Sequence, residues 1–147
     1  MNTALNIHVD ESGTGSGLHS LLAIMDENAG VQGILGLACD ANGWTPEQID
    51  PLLQSTAKPI FGGVFPQIIH GDRTLEKGTL VIGLPVAPQL LTVTGLSDEQ
   101  ADYDAVLDAH AAEMEGGHRM FVSVDGLASR SNALVEGIFH IFGLTYN

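Results

Sequence analysis

Four short polar segments follow apolar runs and carry the residue types a small polar ligand needs. They are Asp10-Glu11, Cys39-Asp40 with Asn42, Gly62-Gly63, and Asp125-Gly126 with Ser129. Glycine lets backbone amides approach a ligand closely, and carboxylates accept hydrogen bonds from an ammonium group. Open parallel sheets bind ligands outside the carboxyl ends of their strands. If the preceding runs are parallel strands, these segments share one sheet edge. The candidate ligand contacts are then Asp40, Asn42, Gly62, Gly63, Asp125 and Gly126. Aspartate and glycine are also ordinary turn formers, so the segments read equally as plain turns.

Other residues carry weaker chemical signals. Gly13-Thr14-Gly15-Ser16-Gly17 sits between a strand and a helix, where phosphates bind. Leu18 stands where a dinucleotide fingerprint needs its third glycine, and no Lys-Ser or Lys-Thr follows. His110 falls on an apolar helix stripe with Met114 one turn away. A buried imidazole there needs a partner, either a backbone carbonyl or, as the alternative, a haem iron. No C-x-x-C-H is present for covalent haem, and no His or Cys spacing suits zinc. Cys39 reads as an inert buried thiol, since the acidic loop after it disfavours a thiolate. No G-x-S-x-G elbow supports nucleophilic catalysis. His140, four residues after Glu136, reads as part of a solvated helix face.

The elements that must position these residues follow from periodicity. Leu5 to Val9 alternates like a half-buried strand, and Leu18, Leu21, Leu22 and Met25 stripe a helix that Gly30 closes. Ile34 to Cys39 is continuously apolar, as in a central strand buried on both faces. Thr45, Pro46 and Gln48 form a capping box with proline at the first helical position. Ile49, Leu52 and Leu53 then face the core. Lys77–Leu84 and Gln89–Leu96 read as two strands around Pro85 and Pro88. Ser97 with Gln100 opens an acidic helix from Asp98 to about Glu115, carrying Tyr103, Val106, Leu107, His110 and Met114 on one face. Met120–Val124 reads as a strand. A last helix bears Leu134, Val135, Ile138, Phe139, Ile141 and Phe142 on a wide apolar arc, with Glu136 and His140 opposite. Strands alternating with helices predict a single α/β domain over 1–147, with a mainly parallel sheet flanked by helices and an antiparallel hairpin near residues 77–96.

Composition bounds the partners. The chain has 147 residues and a formal net charge of −13 with histidine neutral, which excludes non-specific nucleic-acid binding and disfavours anionic membranes. One cysteine and no basic, apolar leader fit a cytoplasmic protein.

Three segments together resemble the N-terminal part of the FIST domain family, a bacterial sensory module. They are Ile34–Cys39, then Ile60–Gln67 leading to Lys77–Leu84, and Phe121–Leu127 followed by Asn132–Gly137. A common family version of the second segment has small hydroxyl residues and Gly-Glu where this chain has Val64-Phe65-Pro66-Gln67. The resemblance implies a non-enzymatic small-ligand sensor, with amino acids as a suggested ligand class. It also implies signalling partners such as histidine kinases, cyclic-dinucleotide enzymes or chemotaxis proteins. Some members look like haem proteins responding to nitric oxide, which gives the alternative role of His110. The family chain normally continues into a second domain, so this sequence reads as an incomplete N-terminal piece. A third reading is an assembly module, in which an unfinished sheet edge and the apolar arc of the last helix form a homo-oligomer interface.

Overall fold

Apart from two glycines and one threonine, every residue of Ile34–Cys39 and Thr79–Leu84 is apolar, and these two runs become the inner strands of the sheet. The computed structural model describes residues 6–111 and 120–143. The first part of the chain runs β1 (Asn6–Asp10), α1 (Gly15–Glu27), β2 (Gly33–Cys39), a 3-10 turn (Asp40–Asn42), α2 (Pro46–Leu53), β3 (Ile60–Phe65), β4 (Ile68–His70), β5 (Arg73–Leu75) and β6 (Thr79–Leu84). The second part holds α3 (Tyr103–Ala111) and α4 (Ser131–Phe142). Where the sequence reads as one domain, the structure divides into two compact units, Met1–Leu90 and Leu91–Asn147.

In the first unit the four-stranded sheet has the order β1-β6-β2-β3. Only β2 and β3 pair in parallel, while β6 runs antiparallel to both β1 and β2. The expected mainly parallel sheet is therefore corrected to a mixed, mostly antiparallel one. The hairpin expected near 77–96 is corrected too: β6 pairs with β1 and β2, and residues 89–96 form no strand. The antiparallel hairpin that does form is β4–β5, closed by Gly71-Asp72. Gly71 takes φ +64°, as the first position of a primed hairpin turn requires.

Alternation along the strands divides the core. Ile34 and Val81 point to one face, where they meet Leu18, Leu21, Leu22 and Met25 of α1 and the half-buried Ile49, Leu52 and Leu53 of α2. Cys39 and Leu80 point to the other face, against Ile68 and Leu75 of the hairpin. Full burial of an aliphatic side chain of this size contributes about 1.5–3 kcal/mol each, so the α1 face holds much of the unit's stability.

Specific polar contacts hold both ends of α1 and the start of α2. Thr14 caps α1, its hydroxyl accepting from Gly17 N–H at 3.1 Å. At the other end Lys58 Nζ donates to the carbonyls of Met25 and Asn28, a cation at the negative helix terminus. The capping box of α2 is present, with Gln48 Oε1 accepting from Thr45 N–H at 3.0 Å. The Thr45 hydroxyl also holds the Glu47 carboxyl below its ordinary range.

In the second unit the expected Ser97–Gln100 cap gives way to Asp102, whose Oδ1 accepts from Ala105 N–H at 3.1 Å. The helix consequently starts at Tyr103, five residues later than Asp98. Met120–Val124, expected as a strand, does not form one. Tyr103 and Leu107 of α3 pack on Leu134 of α4, surrounded by half-buried Leu91, Val93, Leu96, Ile138, Ile141 and Phe142.

Candidate functional site

Because β6 is antiparallel to both neighbours, β1, β2 and β3 all point the same way. Their carboxyl ends therefore share one rim with the start of β6, where Asp10 and Ala38 both register with Thr79. Asp40 lies on this rim, exposed, at the start of the 3-10 turn. Asn42 lies there too, but its amide is already used. Its Nδ2 donates to Gly78 O at 2.9 Å and its Oδ1 accepts from Gly78 N–H at 2.8 Å. The amide ties the β2 turn to the first residue before β6.

Gly62 and Gly63 are not on the rim. They sit in the middle of β3, registered with Gly36 and Leu37. Gly62 has φ +149°, and a β-carbon there would stand 1.7 Å from Gly36 O. The glycine admits the neighbouring backbone, which is a strand-pairing role. Asp125 and Gly126 belong to the second unit. Asp125 Oδ1 accepts from Leu127 N–H at 2.9 Å, and its carbonyl accepts from Ala128 N–H at 3.1 Å. That is a turn entering α4.

The glycine-rich segment before α1 is filled from within. Asp10 Oδ2 accepts from Gly13 N–H at 3.0 Å, and both carboxylate oxygens accept from the Ser12 hydroxyl at 2.8 Å. A protein carboxylate thus takes the position at a helix N-terminus that an external anion prefers.

His110, expected on the buried stripe, is exposed. Its Nδ1 sits 2.7 Å from Val106 O, so that nitrogen carries the proton and donates. Met114 lies outside the described residues. Cys39 is 1% exposed and its thiol donates to Leu75 O at 3.3 Å. Burial chiefly, and then the Asp40 charge, push its pKa up, against a smaller lowering from the Ile68 backbone. Among the described residues no cluster of three His, Cys, Asp or Glu side chains suits a metal ion. Among them, too, no helix is long and apolar enough to cross a membrane.

The second unit offers a groove that sequence reasoning missed. It is an open depression of about 490 Å³ along α3 and α4, lined by Asp102, Tyr103, Asp104, Arg130, Glu136, Gly137 and His140 with two alanines. Arg130, the N-cap residue of α4, and residues 133, 137 and 140 of that helix recur every three or four positions, which puts them on one helix face. His140 Nδ1 lies 3.2 Å from Asp104 Oδ2 across the two helices, rather than pairing along its own helix with Glu136. With side chains 78% and 52% exposed, this is a solvent-exposed hydrogen bond of small stabilising effect.

Arg130 is the most tightly built residue of the groove. Its guanidinium carbon lies 4.9 Å from the centre of the Tyr103 ring. Its Nη1 donates to the carbonyls of Asp98 and Ala101. The Tyr103 hydroxyl donates to Gly95 O at 3.1 Å. The turn before α3, the ring and the start of α4 are thereby stapled by one side chain. Chemically the groove places three carboxylates beside one guanidinium and one imidazole. That set favours a ligand with at least one ammonium group and accommodates a second, negative one.

No protein-family model matches the chain, and no curated protein or solved structure matches it at a significant level.

Proposed function

We propose that this chain is a non-enzymatic small-ligand-sensing module of bacterial signal transduction, acting in the cytoplasm and binding an amino acid or a similar small zwitterion. The observation that carries the ligand class is the groove along α3 and α4, where Asp104 and Glu136 face the same space as Arg130. Opposite charges set along one wall bind a zwitterion in one orientation, with its ammonium towards the carboxylates and its carboxylate towards the guanidinium. The rim of the first unit supports such a ligand less well, because Asn42 is committed to Gly78. The resemblance to FIST domains supports the signalling role, with histidine kinases or cyclic-dinucleotide enzymes as the partner class.

Isothermal titration of the protein against an amino-acid panel tests this. We expect heat with at least one member and about tenfold weaker binding in Glu136→Gln, with Asp40→Asn unchanged. No heat with any member sinks the reading, as does binding that Asp40→Asn abolishes and Glu136→Gln spares.

A second reading, self-association, is favoured by α4 alone. Val135 and Phe139 of the apolar arc are 39% and 51% exposed while Leu134 and Ile138 pack on α3. Light scattering that gives the mass of a single chain at all concentrations removes it.

A further inference from the structure

The chain contains one Asn-Gly pair, Asn42-Gly43. Asparagine before glycine is the pairing most prone to cyclise, because glycine has no side chain to shield its backbone nitrogen. Gly43 is exposed, has φ +66° and has nothing within 4 Å of where a β-carbon would stand. The solvent that the reaction needs is at hand.

We propose that Asn42 is a spontaneous deamidation site which the fold holds closed, and whose conversion unfastens the start of β6. In the reaction the Gly43 nitrogen loses its proton and attacks Cγ of Asn42. The new N–Cγ bond forms as the Cγ–Nδ2 bond breaks, and ammonia leaves with the proton. Water then opens the ring to aspartate or isoaspartate at position 42.

Two sets of hydrogen bonds oppose that sequence. The nucleophile is engaged, since Gly43 N–H donates to Asp40 O at 2.9 Å. The electrophile is engaged as well, because both ends of the Asn42 amide are bound to Gly78, and Nδ2 also lies 3.4 Å from Thr79 Oγ1. Cyclisation requires all of these to open together, so it proceeds through local unfolding of the turn.

The product differs from the reactant in a way this site cannot absorb. A carboxylate at position 42 still accepts from Gly78 N–H but has no proton to give Gly78 O. That carbonyl also accepts from Cys39 N–H at 3.0 Å, so the lost bond lies where β2, the turn and β6 meet. Conversion therefore weakens the junction at the point where β6 enters between β1 and β2.

The test follows conversion of the whole protein in native buffer and in denaturant, at one pH and temperature, by mass spectrometry of the peptide containing residues 42 and 43. We expect conversion to be at least about tenfold slower in the native protein. Equal rates in the two conditions overturn the protected-site claim. In parallel, Asn42→Asp is melted against the unmodified chain at neutral pH. A lowered midpoint or failure to fold is the expected result, and an unchanged midpoint overturns the claim that conversion unfastens β6.

Discussion

The carboxylate of Asp10 rests on the bare Cα of Gly17. A β-carbon at Gly17 would meet Oδ2, Cγ and Oδ1 of Asp10 at 2.3, 2.4 and 2.5 Å. Alanine in the first turn of a helix normally stabilises by up to about 1 kcal/mol relative to glycine. Here the sign reverses, because the methyl displaces a carboxylate held by Ser12 and Gly13.

Gly17→Ala is therefore expected to destabilise the protein by about 1–2 kcal/mol, the range for overpacking combined with a lost cap. The same change in an Asp10→Ala background is expected to be neutral or stabilising. A double-mutant cycle by chemical denaturation measures this, and additive effects would contradict the contact.

A second contrast tests the parallel pairing. Gly36 and Gly62 face each other across β2 and β3. A β-carbon on Gly62 collides with Gly36 O, whereas one on Gly36 meets only Ile60 Cδ1 at 3.9 Å and Phe61 O at 4.0 Å. Gly62→Ala is expected to cost at least about 3 kcal/mol, from backbone strain plus displacement of the neighbouring strand. Gly36→Ala is expected to stay within about 1 kcal/mol of the parent. Thermal melts of the two single variants decide it, and similar losses would refute the register.

These two glycines also show how far the sequence could be read. Two helices of the first unit were legible: Thr45-Pro46-x-Gln48 opens α2 as its spacing predicts, and Leu18, Leu21, Leu22 and Met25 of α1 are all buried. The inner strands were legible from unbroken apolar runs. Direction was not, because alternation says which face a residue points to and nothing about which strand lies beside it. The run through Pro85 and Pro88 looked like a hairpin. In the structure Pro88 lies over Gly33, where a β-carbon would stand 2.2 Å from its Cδ, and β6 finds partners in β1 and β2 instead. The hairpin β4–β5 escaped notice because each arm has only three residues. The surroundings of the candidate ligand groups were not legible for the same long-range reason. Nothing local to Asn42 reveals that Gly78 binds its amide, and nothing local to His140 reveals Asp104, each partner being 36 residues away. The available hint at the groove was a polar side opposite the apolar arc of α4.

Cys39 gives the pH-dependent prediction. Its pKa is raised in the folded protein, first by burial and then by the Asp40 charge, from the ordinary value of 9.0. Above that value the unfolded chain loses the thiol proton while the folded chain keeps it. The unfolded state then binds fewer protons, and stability falls as pH rises. The contribution is complete below pH 9.0 and is lost from there up to the higher folded value. Cys39→Ala is expected to show a shallower alkaline decline in denaturation free energy than the parent. Thiol-reagent labelling at pH 8 is expected only once denaturant is added. Rapid labelling of the native protein would show that the thiol is not enclosed.

The last prediction concerns the crossing of α3 and α4. Gly137 is buried, and a β-carbon on it would stand 2.8 Å from Asp104 Oδ1 and 3.1 Å from Leu107 Cδ1. Propensity alone says that alanine improves a mid-helix glycine by about 1 kcal/mol. The contact with Leu107 opposes this, because Leu107 is 2% exposed and locked among Tyr103 and Leu134. Asp104 can swing into solvent, but doing so breaks its pair with His140. Gly137→Ala is therefore expected to lower stability by about 1–3 kcal/mol as the helices are pushed apart, and to weaken the binding proposed for the groove beside it. Gly137→Ala in an Asp104→Ala background is expected to recover only part of that loss, since the Leu107 contact remains. Helix content followed through a thermal melt provides the readout. A variant that melts above its parent would mean that α3 and α4 do not approach each other at Gly137.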